Sequence, residues 1–283
     1  MLGFPTDNAN LDPAIRTITE NGSRLGFSAA DSPGGDIVVP NLCDDAGSKG
    51  VGDVLPAAPP WKRLLDVTCI LAALPVVLPV AVLVALLIKC VSAGPIFYRQ
   101  ERVGYRGRRF VCLKFRTMHV GTSTSNHEDY CRQLIASEAP MAKLDDADDH
   151  RIIPLGPVLR AMGLDELPQL LNVLRGEMSL VGPRPCLPAE YDAYEPRQKG
   201  RFNALPGLTG LWQVSGKNST TFSRMIELDL DYIQRRSLLL DLRIMALTIP
   251  VVLRAAASAV RRWLARIRLF FLNPWRGRRS PAS

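Results

Sequence analysis

Residues 61–89 read WKRLLDVTCILAALPVVLPVAVLVALLIK. From Val67 to Ile88 there are 22 consecutive residues without a charge, and about 20 suffice for a helix to cross the hydrocarbon of a bilayer. The stretch therefore marks a membrane protein. Two features complicate a simple crossing. Pro75 and Pro79 stand in the middle of the run, where each removes a helical hydrogen bond and kinks or breaks the helix. Basic residues also flank both ends, Lys62 and Arg63 before the run and Lys89, Arg99 and Arg102 after it. A spanning helix keeps its basic excess on the cytoplasmic side only. A helix that enters, breaks at Pro75 and Pro79 and returns would leave both basic flanks in the cytoplasm. A kinked single span is the competing reading, and composition leaves the two level.

The surroundings of the run differ sharply in charge. Residues 1–60 carry eight acidic and three basic residues, are rich in Gly, Pro, Asp, Asn and Ser, and end in PAAPP. They read as a disordered, low-complexity leader. MLGFPTDNAN has neither a basic region nor an apolar core, so no secretory signal is expected there. The chain as a whole carries a formal net charge of +8, and beyond Asp241 there are nine arginines and no acid. In 238–271 the chain turns basic and amphipathic. Trp263, Phe270, Phe271 and Trp275 interleave with arginine, a pattern suited to helices lying on anionic membrane lipids. Next to an apolar run of this length, nucleic acid is the weaker partner and is not expected. Six scattered cysteines, without a CxxC, argue against a disulfide framework or a zinc site and fit reduced cytosol.

Between these membrane-directed ends lies a folded body. GPIFYRQERVGYRGRRFVCLKFRTM at 94–118 has apolar-aromatic runs around a Gly104–Gly107 turn and reads as a β-hairpin. Residues 119–150 are polar, ending in an acidic run that reads as a solvated loop. Helices are expected over 155–162, 166–175 and 222–236, with Gly- and Pro-rich loops over 176–185 and 200–216. LDELPQLLNVLRGEMSLVGPRP at 164–185 sets two carboxylates, Asp165 and Glu166, ahead of a short helix and a Gly-Pro-Arg-Pro loop. Asp165 reads either as a helix cap or as chemistry, and this stretch alone leaves both open. Trp212 reads as core packing; His119, His127 and His150 have no triad-like context.

The order of these motifs resembles the bacterial sugar transferases, the monotopic polyprenyl-phosphate hexose-1-phosphate transferases that start exopolysaccharide, capsule and O-antigen synthesis. KRLLDV at 62–67, the hairpin stretch at 94–118 and the dyad stretch at 164–185 carry the likeness, with PGLTGLWQVSGKN at 206–218 and ELDLDYIQRRSLLLDLRI at 227–244. The resemblance spans roughly 61–250 and implies an α/β, mostly helical, monotopic membrane protein. Its expected parts are the leader 1–60, a re-entrant helix over 61–93, a catalytic domain over 94–250 and a basic amphipathic tail over 251–283. The likeness tips the membrane run towards re-entry.

The resemblance also implies roles. Asp165 would be the nucleophile that takes the sugar phosphate, and Glu166 would help hold Mg²⁺. Arg160 would lie near the phosphates, and Pro183-Arg184-Pro185 would meet the uridine of a UDP-sugar. Lys114 and Arg116 belong to the Lys-Phe-Arg element. The Asp-Pro-Arg element appears as Asp149-His150-Arg151 and lacks its proline. Gln169 and Asn172, on the helix after the dyad, are substrate-binding candidates that would equally face solvent.

Elementary chemistry agrees with the dyad assignment. Cleaving a diphosphate needs a nucleophile, charge neutralisation and a stabilised leaving group. Aspartate is a competent phosphoryl acceptor, and a second carboxylate is a natural ligand for Mg²⁺. The expected reaction moves hexose 1-phosphate from a UDP-sugar to polyprenyl (undecaprenyl) phosphate, giving polyprenyl-diphosphate-sugar and UMP. The expected location is the bacterial inner membrane, with the site on the cytoplasmic face. Two rivals stand beside it: a catalytically silent membrane scaffold of the same fold, and a glycosyltransferase that releases UDP. The hexose, the polymer and any homo-oligomer are left open.

Overall fold

The computed structural model describes residues 58–121, 151–216 and 220–272, with side chains described as far as residue 261. Residues 1–57, the acidic run at 145–150, Trp275 and the side chains of Trp263, Phe270 and Phe271 lie outside what is described.

The apolar run forms one helix, α1, from Pro60 to Val91. Its first residue is a proline, whose fixed φ suits that position. The helix continues through Pro75 and Pro79, so the expected break is not an interruption of helical structure. Each proline loses its own hydrogen bond and crowds the carbonyl four residues back. The two prolines are themselves four residues apart, just over one turn, so the defects fall on one side of the helix and add without ending it.

Both ends of α1 are seated on the same body. Lys62, Asp66 and Ile70 are buried towards one end, Val84 and Ile88 towards the other. Ile70 packs with Val173 and Met178; Val84 and Ile88 pack with Phe115, Ile153 and Leu159. Between them Leu71, Leu74, Val76, Leu78, Val82 and Leu83 are exposed. The helix is long and apolar enough to cross a membrane, yet it has buried residues near both of its ends. At the far end Arg116 donates to the Ser92 carbonyl at 3.0 Å and to Ser92 Oγ at 2.9 Å. A cation there satisfies the open carbonyls of the helix terminus.

The expected hairpin is present. Strands β1 (Phe97–Val103) and β2 (Arg109–Phe115) pair antiparallel, from Phe97↔Phe115 to Val103↔Arg109. Side chains alternate across a strand, so Gln100, Arg102, Cys112 and Lys114 share one face.

The chain then forms α2 (Gly156–Ala161), a tight turn over Leu164–Glu166, and α3 (Gln169–Arg175). Next come β3 (Ser179–Val181), α4 (Pro188–Ala193) and α5 (Pro196–Lys199). Strand β4 (Gly207–Thr209), α6 (Leu211–Val214), α7 (Phe222–Arg235) and α8 (Leu238–Leu272) complete it. Strands β3 and β4 pair in parallel, Ser179 with Gly207 and Val181 with Thr209, inside segments expected to be loops. Three-residue strands flanked by glycine and proline have no periodicity to read. Their contact requires glycine: a Cβ on Gly207 would lie 2.1 Å from the Gly182 nitrogen. The main core gathers Val181, Trp212, Phe222, Met225, Ile226, Tyr232 and Ile244, so Trp212 packs as expected.

The outcome is a mostly helical body with two small sheets. Helix α8 runs through residue 250 without interruption, so the boundary expected there falls inside a helix. Along it Leu239, Leu242, Ile249 and Leu253 are exposed, with Arg243, Arg254 and Arg261 exposed beside them.

Candidate active site

Asp165 and Glu166 sit in the tight turn between α2 and α3. Gly163, with φ 68, makes the reversal out of α2 that leads into it, a backbone conformation that glycine adopts at little cost. Helix α3 begins at Gln169 with Pro168 at its cap position and no side-chain cap. The cap position of that helix is thus held by a proline, which has no side-chain oxygen to offer. Asp165 is nearly enclosed, at 9% exposure. Glu166 receives Lys114 Nζ from β2 at 3.1 Å, with both side chains partly open to solvent. A pair this exposed adds at most about 1 kcal/mol to stability; it matters as charge placement. Arg160, in the last turn of α2, is half-buried.

Other expected site residues lie elsewhere. Neither Gln169 nor Asn172 faces solvent: both are buried, Asn172 completely. The Asn172 amide accepts from the Leu113 N–H at 3.1 Å and donates to the Val111 carbonyl at 2.7 Å. It also donates to Glu177 at 2.6 Å. Asn172 thus braces α3 against the backbone of β2, since a buried amide must have its groups satisfied, and it is not brought to the carboxylate pair. Arg116, expected to bind substrate, has its guanidinium engaged at the end of α1, including the Pro95 carbonyl at 2.6 Å. Pro75 and Pro79 are exposed on the lipid-length middle of α1.

The Gly-Pro-Arg-Pro loop follows β3 directly. Arg184 Nη1 donates to both carboxylate oxygens of Glu190 at 3.2 Å, and Glu190 also accepts from the Leu187 N–H at 2.7 Å. Pro183 is buried and its carbonyl accepts from Gly207. Behind the loop lie Arg102, Arg201 and Asp229, all buried. Burial pushes the Asp229 carboxyl up to about 6, against the pull of Arg201, and pushes the neighbouring Cys186 thiol up to about 12. Three arginines around two carboxylates leave a net positive base under the loop, suited to an anionic ligand.

Sequence reading missed Arg102, Glu190, Arg201 and Asp229. Asp229 had a signal: it falls on the buried stripe of α7 with Phe222, Met225, Ile226 and Tyr232, and an acid at such a position needs a partner. Arg201 had none, because its partners are remote in sequence.

The hairpin joins the two centres. Lys114 pairs with Tyr98 in register, and Arg102, four residues beyond Tyr98 on the same face, donates to the Pro185 carbonyl at 3.3 Å. Four residues of strand span roughly 13 Å. Among the described residues no group of three or more His, Cys, Asp or Glu side chains forms a metal cage. Two adjacent carboxylates nevertheless fit Mg²⁺, which takes one or two protein carboxylates and completes its shell with water and phosphate oxygens.

The family model for bacterial sugar transferases matches residues 57–255. This chain belongs to that family. The sugar transferase is 41% identical over 207 residues to the exopolysaccharide production protein ExoY of Sinorhizobium fredii, covering 73% of this chain and 92% of the relative. It is 42% identical over 200 residues to the UDP-glucose:undecaprenyl-phosphate glucose-1-phosphate transferase of Caulobacter vibrioides, covering 68% and 69%. It is 37% identical over 199 residues to the undecaprenyl-phosphate galactose phosphotransferase of Salmonella typhimurium, covering 68% and 40%.

Proposed function

We propose that this sugar transferase moves a hexose 1-phosphate from a UDP-sugar to polyprenyl phosphate, carrying it between them on Asp165. The carrying observation is the nearly enclosed Asp165 beside Glu166, with Lys114 3.1 Å from Glu166, at one end of a hairpin face whose other end holds the Pro-Arg-Pro loop. The roughly 13 Å between those ends suits an extended nucleoside diphosphate, with its phosphates at the dyad and its nucleoside at Arg184. The names of the Caulobacter and Salmonella relatives support the same donor and acceptor class.

In the first half-reaction a carboxylate oxygen of Asp165 attacks the phosphorus that bears the sugar. The bond from that phosphorus to the UMP oxygen breaks, and UMP leaves with the electron pair. In the second, a phosphate oxygen of the polyprenyl acceptor attacks the same phosphorus and frees the Asp165 carboxylate. Lys114 and Arg160 supply positive charge near the dyad, and enclosure strengthens each such interaction by excluding water. Glu166, with Asp165 beside it, would hold Mg²⁺, which supplies neutralisation of the diphosphate charge.

Because the acceptor's lipid tail stays in the bilayer, the site belongs at headgroup height. The seating of both ends of α1 on one body supports a re-entrant helix, with its exposed middle in lipid and its ends in the cytoplasm at the bacterial inner membrane. The exposed leucines and arginines of α8 suit contact with anionic lipids. The test measures nucleotide release from a panel of UDP-sugars by the purified chain in nanodiscs. Repeated release of UMP should require polyprenyl phosphate; without acceptor a single equivalent of UMP should be freed, and label on the sugar-bearing phosphorus should stay on the protein. Asp165→Asn should abolish both. Release of UDP, or none with any sugar, would overturn the assignment.

A further inference from the structure

The loop carrying Arg184 is gripped along its whole backbone, and the grip is made largely by buried charge. Four consecutive carbonyls are engaged. Pro183 accepts from the Gly207 N–H at 2.8 Å and Cys186 from the Val103 N–H at 2.9 Å. Arg184 accepts from Arg201 Nη2 at 3.0 Å, and Pro185 from Arg102 Nη1 at 3.3 Å. The Arg184 N–H in turn donates to Asp229. Arg201 and Asp229 also bond each other, with side chains 0% and 1% exposed, and Arg201 Nη1 donates to the Tyr194 hydroxyl at 2.9 Å.

We propose that Arg201 and Asp229 are positioning residues that hold Arg184 in its substrate-competent place by bonding the backbone on both sides of it. This rests on the reading that Arg184 meets the UDP-sugar. A buried ion pair is a poor device for stability alone, because withdrawing two charges from water costs several kcal/mol per ion and packed apolar residues often serve as well. What apolar residues cannot do is donate to the Arg184 carbonyl and accept from its N–H. The planar guanidinium of Arg201 reaches a carbonyl, a carboxylate and a phenol at once, which a lysine ammonium on a flexible stem does not reproduce. Glu190 completes the arrangement by holding the Arg184 side chain, so backbone and side chain are fixed independently. Neither Arg201 nor Asp229 touches the ligand in this account; both act through Arg184.

The test is a double-mutant cycle on the full chain in nanodiscs, with saturating polyprenyl phosphate. Arg201→Lys should raise KM for the UDP-sugar by roughly 10- to 100-fold, the range for losing a charged hydrogen bond, while kcat changes much less. Combined with Arg184→Ala, it should cost nothing further, because the loop then has no arginine left to place. Asp229→Asn, which keeps an acceptor for the Arg184 N–H, should raise KM less than Asp229→Ala, and it serves as the second arm of the cycle. An unchanged KM in Arg201→Lys, or effects that multiply with Arg184→Ala, would overturn the proposal. Failure of both Arg201→Lys and Asp229→Asn to fold would assign the pair to stability and also overturn it. A different outcome separates the underlying reading: if Arg184→Ala itself leaves KM unchanged, the loop does not meet the nucleotide at all.

Discussion

Replacing Lys62 with methionine tests what holds the membrane helix to the body. Lys62 and Asp241 form an ion pair between the first turn of α1 and the first turn of α8, with side chains 1% and 0% exposed. Lys62 Nζ also donates to the Tyr232 hydroxyl at 2.8 Å. That hydroxyl lies 2.8 Å from Asp241 Oδ1 and 3.2 Å from the Val181 carbonyl. Methionine keeps the length of the side chain and removes its charge, leaving the Asp241 carboxylate enclosed with Tyr232 as its remaining side-chain partner. Breaking a buried pair from one side costs about 3–5 kcal/mol, a large share of the roughly 5–15 kcal/mol that holds a domain folded. At about 2–4 °C per kcal/mol for a domain of this size, Tm should fall by about 6–20 °C. The double variant Lys62→Met/Asp241→Leu removes both charges, and Tyr232 still has the Val181 carbonyl as acceptor. It should recover to within about 2 kcal/mol of the parent. Tryptophan fluorescence during heating, on the purified chain in nanodiscs, reads the transition through Trp212 in the core. The reasoning is refuted if Lys62→Met melts with the parent, or if the double variant melts below both singles.

Four further outcomes are expected. Glu166→Gln removes the proposed metal ligand and a compensating charge together, so UMP release should drop by about two orders of magnitude or more, with partial recovery in excess Mg²⁺; full activity in chelator would end the proposed metal role. In the Pro75→Ala/Pro79→Ala variant the helix loses its two defects, each worth ~3 kcal/mol, and should tend towards a true span. A single cysteine at position 55, in a cysteine-free chain, should then react with an impermeant reagent in intact cells, whereas reaction in the parent would show a span already. Gly207→Ala forces a Cβ against the Gly182 backbone at 2.1 Å and should destabilise by about 3 kcal/mol or more, measured by denaturant unfolding. Asp229 is charged above its pKa of about 6 and neutral below it, so KM for the UDP-sugar should rise as pH falls through that value, and the Asp229→Asn profile should lack that limb.

Local signals were read correctly where they are local. The hairpin followed from paired apolar-aromatic runs around Gly104 and Gly107, and α7 from its stripe of apolar residues. The dyad by itself reads equally as a helix cap, and it stands out only through the order of the motifs around it. Gln169 and Asn172 looked like solvent or substrate contacts, because a polar residue on a short helix carries no sign of what lies beside it. The fully buried Asn172 answers to the unpaired edge groups of β2, which belong to another part of the chain. The partners of Arg116 are equally remote in sequence: the Ser92 carbonyl that accepts from it is at the end of α1.

The amino-acid sequence by itself determined where the run long and apolar enough to cross a membrane lies, and which ordered motifs mark the family. Hydrophobic length, charge sign and motif order are properties of neighbouring residues, and they survive without a fold. Only the tertiary structure decided that both ends of α1 rest on one body, through Lys62 and Asp241 at one end and Arg116 and Ser92 at the other. It alone brought Arg201, from the turn after α5, and Asp229, from α7, to the two sides of Arg184. Charges are buried only in pairs whose attraction and hydrogen bonds offset the loss of water, and such a partner is chosen by distance in space, to which separation along the chain is no guide.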